Sequence, residues 1–208
     1  MMSLDKTPLD NPLRGFTKVD STTMSRLHEA LTARALDAGL LDLAYRTVDS
    51  PLGSLLLVTS ERGLTKIAFE RQDHDQVLAT LSATVSPRIL HAPARLDEPA
   101  RELDQYFAGT RHSFELPLDL TTTGGFRRAV QLLLPSIAYG ATVSYRELAA
   151  KAGRPAAIRA VGTACATNPL PIVVPCHRVL RSDGSLGGYL GGLPAKQTLL
   201  DLESRSGR

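Results

Sequence analysis

The chain contains no tryptophan, only two cysteines, and no apolar run long enough to span a bilayer. Cys165 and Cys176 are too few for a disulfide framework or a cysteine-rich zinc site. The histidines (His28, His74, His91, His112 and His177) do not fall at ligand spacing, so neither a structural metal nor a cofactor is expected. A secretion signal, with its basic, then apolar, then small-residue order, is missing from the N-terminus, and the expected compartment is the cytoplasm. No internal repeat or low-complexity tract occurs either. What remains is globular material: 208 residues, 43% of them hydrophobic, enough for one or two compact domains.

Acidic residues are scarce only in the C-terminal part of the chain. Residues 126–208 hold 11 Lys+Arg against 4 Asp+Glu, and residues 1–125 hold 13 against 17. The C-terminal half is therefore the half suited to a polyanion such as nucleic acid.

The order of elements implies an α+β chain in three parts. Residues 1–42 form an extension: 1–20 are polar and expected to be mobile, and Ser21 to Leu40 carry Leu27, Leu31 and Leu36 near helical spacing before Gly39. Residues 43–120 begin with three strand-like runs (Tyr45–Val48, Ser54–Thr59, Leu64–Phe69) separated by turn residues, which predicts a small antiparallel meander. Helical spacing follows over Asp73–Ala83 and Asp97–Phe107, with Pro87 and Pro93 breaking the stretch between. Residues 121–208 are mainly helical, starting with a helix from Phe126 to Leu134.

Ser144-Tyr145-Arg146-Glu147 is a capping box, predicting a helix to Ala152. Gly153 supplies a turn and Pro155 opens a second helix to about Ala166, giving a helix-turn-helix. The second helix is built of small residues, including Ala160, Gly162 and Ala166, and Arg159 is its one charge. Small side chains bring a backbone close to a neighbour, either another helix or a groove, and a lone long cation favours the groove. Six cations (Arg146, Lys151, Arg154, Arg159, Arg178, Arg181) against Glu147 between Val143 and Arg181 would hold phosphates.

Asn168 to Val179 joins a turn, a buried apolar run and a nucleophile beside a base, Pro175-Cys176-His177-Arg178. On a regular strand Cys176 and His177 would point to opposite faces, so cooperation needs a bend there or a bridging water. Cys165, with no adjacent base, reads as packing.

These motifs together resemble the O6-alkylguanine-DNA alkyltransferase family over about Tyr45 to Glu203. The likeness rests on Pro175-Cys176-His177-Arg178-Val179, Thr142-Val143-Ser144-Tyr145, Arg159-Ala160-Val161-Gly162 and Asn168-Pro169. It implies a winged-helix-like C-terminal domain and single-turnover repair of O6-alkylguanine, with O4-alkylthymine as a second substrate. Cys176 would be the acceptor, His177 its base through a water, Glu203 the acid that orients His177, and Asn168 the brace of the turn. Tyr145 would rotate the nucleotide outward and donate a proton to guanine, while Arg159 fills the vacated stack and Ala160, Gly162 and Ala166 meet the DNA. Val179, Tyr189 and Leu190 would form the guanine pocket. The implied partner is double-stranded DNA, held through its minor groove by a monomer, with cooperative binding along the duplex left open.

Three departures from the family pattern stand out: Arg127 and Gln131 in place of Gln and Trp, Ala138 in place of a proline, and the bulky Leu190. Two other readings compete. A lesion-recognising DNA-binding module without transferase activity would not need Cys176, and a Cys-His hydrolase would not need Arg159.

Overall fold

The computed structural model describes residues 20–205, so the polar N-terminal segment lies outside the described residues except for Asp20. Asp20 caps α1 (Ser21–Asp37) by accepting from the Thr23 backbone nitrogen at 2.9 Å, and the chain leaves the helix through Gly39 at φ +63°. No residue of α1 is buried. It touches the body through His28, whose Nε2 lies 2.6 Å from the His91 carbonyl oxygen, and through Ala35 beside Leu41, Ala44 and Ala92.

Strands β1 (Leu43–Val48), β2 (Leu55–Ser60) and β3 (Gly63–Phe69) form the antiparallel meander that their turn residues predict. In β2, Leu55 and Leu57 enter one cluster while Leu56 and Val58 enter another on the opposite face. Both faces are covered, which is why this strand reads Leu-Leu-Leu-Val without alternation. The second face is closed by Val77, Leu78 and Leu81 of α2 (His74–Thr84).

The sheet departs from the expected three antiparallel strands. A fourth strand, β4 (Ile89–His91), pairs parallel with β1, giving a mixed sheet in the order β3-β2-β1-β4. Three residues are too few to show a period, and an edge position tolerates the flanking Pro87 and Pro93. Helix α3 (Asp97–Phe107) then buries Leu103 and Tyr106 under the first face.

The C-terminal half is helical: α4 (Gly125–Leu133), α5 (Tyr145–Lys151), α6 (Ile158–Ala166) and α7 (Leu193–Arg205), with the short strands β5 (Val143–Ser144) and β6 (Val179–Leu180). The capping box closes as predicted, with the Glu147 nitrogen donating to Ser144 Oγ at 3.1 Å and the Ser144 nitrogen to Glu147 Oε2 at 2.6 Å. The second helix of the pair starts at Ile158 rather than at Pro155. Residues 154–157 instead make a turn, in which the Ala157 nitrogen donates to the Arg154 carbonyl at 2.9 Å. Alanines offer no side-chain cap that could fix an earlier start.

Parallel pairing of β5 with β6 sets the first residue of α5 beside the cysteine segment. One apolar core runs through both halves, from Leu55, Phe69 and Tyr106 to Val130, Val161 and Leu199. No helix among the described residues is long and apolar enough to cross a membrane.

Candidate active site and DNA-facing surface

The backbone bends where cooperation between Cys176 and His177 requires it. Cys176–Arg178 form a single 3-10 turn between Pro175 and β6, and all three residues are buried. Asn168 organises the loop that leads there. Its Nδ2 donates to the Val174 carbonyl at 2.7 Å and to Cys176 Sγ at 3.2 Å, and its Oδ1 accepts from the Leu170 nitrogen at 3.1 Å. The same loop holds Ile172 at φ +75°, a conformation costly for a β-branched residue, which these bonds help to fix.

Burial pushes the Cys176 thiol up to about 11, against the lowering effect of the Asn168 bond and the Lys196 ammonium. The resting group at neutral pH is therefore the thiol. His177 is the next residue in the chain. Its ring is fully buried, and Nε2 meets Glu203 Oε1 at 2.8 Å. Burial lowers the imidazole's pKa, partly offset by Glu203, so the ring is neutral and the carboxylate fixes the tautomer with hydrogen on Nε2. Nδ1 then carries the lone pair; it is buried and has no protein partner.

Glu203 is the hub of this cluster. Besides His177, its oxygens accept from Arg178 Nε at 2.9 Å, Arg178 Nη2 at 2.9 Å, the Gly140 nitrogen at 3.1 Å and the Tyr106 hydroxyl at 2.7 Å. Burial opposes its charge, but the hydrogen bonds from His177 and Arg178 prevail and hold the carboxyl down at about 2. Arg178 thus belongs here rather than on the phosphate-binding face, and its Nη1 donates to the Ile137 carbonyl at 2.6 Å. The sequence offers no sign of this, because Arg178 stands in a run of cations.

Tyr145, at the first position of α5, is half-buried, and burial raises its phenol to about 12. It remains a proton donor at neutral pH. Gly187 makes room for it: any side chain at 187 would collide with the Tyr145 hydroxyl. Val179 is fully buried, and Tyr189 and Leu190 pack partly buried against the same core. The Tyr189 ring meets His177 edge-on at 6.3 Å and Phe69 at 5.6 Å, and its hydroxyl is buried without a partner. Gly191 packs on Phe69, where a methyl group would come within 2.8 Å of the ring. The end of β3 therefore shapes the loop that follows Tyr189.

Lys196 is another residue the sequence does not flag. It is fully buried among the leucines of α7, and its Nζ donates to the Val179 carbonyl at 2.6 Å. No group of three or more His, Cys, Asp or Glu suited to a metal ion occurs among the described residues. A cavity of about 700 Å³ beside α1, lined by His28, Thr32 and Pro93, shares no residue with the cluster around Cys176.

Helix α6 buries Val161, Ala164 and Cys165 and turns Arg159, Ala160 and Ala166 outward, with Gly162 at the margin. Arg146, Lys151, Arg154 and Arg181 are likewise exposed, Arg154 lying 5.2 Å above the Phe126 ring. Gln131 answers for the missing tryptophan on α4: fully buried, it donates from Nε2 to the Ala164 carbonyl at 3.1 Å and so satisfies the C-terminal end of α6.

Two family models match most of the chain from residue 43 onward. The one described as 6-O-methylguanine DNA methyltransferase, ribonuclease-like domain, matches residues 43–120, and the one described as its DNA binding domain matches residues 125–205. A methylated-DNA–protein-cysteine methyltransferase of Mycolicibacterium paratuberculosis is 43% identical over 163 residues, covering 78% of this chain and 93% of the relative. One from Methanosarcina barkeri is 38% identical over 162 residues, covering 78% and 98%. The crystal structure of Mycobacterium tuberculosis OGT in complex with DNA superposes with a TM-score of 0.69 at 39% identity, covering 78% of this chain and 94% of that one. With both halves matched and such relatives covered almost end to end, the chain belongs to the methylated-DNA–protein-cysteine methyltransferase family.

Proposed function

We propose that the protein repairs O6-alkylguanine in duplex DNA by moving the alkyl group onto its own Cys176, once per molecule. The observation that carries this reading is the buried Cys176 thiol held by Asn168, next to a His177 tied to Glu203 through Nε2 and left with an unpartnered Nδ1. A water between Nδ1 and Sγ completes a relay in which the thiol proton passes to His177 while Glu203 stabilises the imidazolium that forms. The sulfur lone pair attacks the alkyl carbon, the carbon–O6 bond breaks, and its electrons stay with guanine. Tyr145 donates a proton to the departing base. His177 then releases the thiol proton to water as Tyr145 is reprotonated from water, so the proton lost by Cys176 equals the one gained by guanine, and a stable thioether remains with no group placed to release it.

The lesion must leave the stack to reach a buried sulfur, which costs a few kcal/mol and less where pairing is already damaged. The outward face of α6 supports minor-groove binding, because Ala160, Gly162 and Ala166 permit close approach and Arg159 can occupy the gap. Val179, Tyr189 and Leu190 enclose the flipped base. O4-alkylthymine is the second substrate in this reading, and the protein acts as a monomer.

A turnover titration tests the proposal. With lesion-bearing duplex in excess, restored guanine should plateau at one per protein molecule, and continued turnover would contradict it. Arg159→Ala should repair duplex at least about tenfold more slowly yet react with free O6-benzylguanine at a near-normal rate. Equal losses on both substrates would remove the flipping role.

A further inference from the structure

Glu203 has a partner that comes from outside the helical half. We propose that Tyr106, on α3 beneath the sheet, is a positioning residue for alkyl transfer: its hydroxyl holds Glu203 Oε1 and sets how strongly that carboxylate pulls on His177. The inference rests on reading Cys176, His177 and Glu203 as a relay.

The geometry singles out the hydroxyl rather than the ring. Tyr106 is fully buried, and its oxygen lies 2.7 Å from Oε1, the same oxygen that accepts from His177 Nε2 at 2.8 Å and Arg178 Nη2 at 2.9 Å. The ring has its own packing against Phe107, Phe114 and Tyr139, which phenylalanine would keep. Only the oxygen serves Glu203. Burial beside Glu203 drives the phenol's ionisation far above its ordinary range, so Tyr106 acts purely as a donor.

Three residues donate to this one oxygen, Arg178 also through Nε at 3.2 Å, and share its electron density. Without the phenol, Oε1 becomes a better acceptor for His177 and stabilises the imidazolium more strongly. The imidazole then holds its proton to higher pH, and the neutral form that accepts from Cys176 is reached later. The other groups facing this pair are Arg178, Lys196, Tyr139, Tyr189 and Cys176, and none is altered by removing the hydroxyl. Because α3 belongs to the sheet half, the acidity of the relay depends on how that half is docked.

The test uses the full chain and free O6-benzylguanine, following the second-order rate of transfer against pH for the wild type, for Tyr106→Phe, and for protein carrying 3-fluorotyrosine at 106. In Tyr106→Phe the acid limb of the profile should move up by roughly half a pH unit, with the rates converging above it. Fluorotyrosine, a stronger donor of nearly the same size, should move the limb down. A purely structural role would scale the rate at every pH and leave the limb in place; limbs unmoved in both proteins overturn the proposal. Should the phenylalanine variant fail to fold, the fluorotyrosine protein decides alone. Absence of transfer or of an acid limb in the wild type sinks the relay reading itself, and the inference with it.

Discussion

Replacing Glu203 by glutamine should cost about 3 kcal/mol of folding stability at neutral pH, and progressively less in acid. The carboxylate is 1% exposed and held at about 2 against an ordinary value of 4.5. A displacement of that size corresponds to about 3 kcal/mol at about 1.4 kcal/mol per pH unit. Removing one partner of a buried ion pair costs about 3–5 kcal/mol by an independent route, so the two figures agree in scale. The sign follows from the lowered folded-state value: the contribution is complete above the unfolded value of 4.5 and is lost as pH falls toward about 2. Glutamine has no such contribution to lose. The stability gap between wild type and Glu203→Gln should therefore narrow by about 2 kcal/mol between about pH 7 and about pH 3. Urea denaturation of both proteins across that range measures it. A gap under about 1 kcal/mol at neutral pH, or one that stays constant into acid, would refute the reasoning.

Gly187→Ala places a methyl group where the Tyr145 hydroxyl sits, so repair of duplex DNA should fall by roughly tenfold or more while the thermal midpoint shifts little; an unchanged rate would show that Tyr145 has no fixed role. Because burial pushes the Cys176 thiol up to about 11, carbamidomethylation by iodoacetamide at neutral pH should be slower than that of free cysteine and should rise steeply toward alkaline pH. A fast, pH-independent reaction would mean that the thiolate is already formed at rest.

Much of the fold was legible because its signals are local. The turn residues around Gly53 and Gly63 delimit the meander, and the Ser144–Glu147 box fixes the start of α5. The fourth strand was not legible, since three residues between prolines carry no period and their pairing with β1 spans more than forty positions. The site divides in the same way. Cys176, His177 and Asn168 sit within one segment whose motif is distinctive, and Glu203 was reachable through the family resemblance. Tyr106 and Lys196 were not legible: in a helix with apolar spacing, a buried tyrosine or lysine looks the same whether its polar tip is idle or aimed at a carboxylate such as Glu203 or a carbonyl such as Val179. Arg178 was misplaced for a related reason, because sequence charge counts a guanidinium without showing which face it occupies.

The central claim is that Cys176 accepts the alkyl group. The most direct measurement is intact mass spectrometry after incubation with a duplex carrying one O6-methylguanine, followed by peptide mapping. The account predicts a single added methyl group, located on Cys176 and absent from Cys176→Ser, with the duplex returned to guanine. An unmodified protein beside an unrepaired duplex, or a methyl group on Cys165, would contradict it.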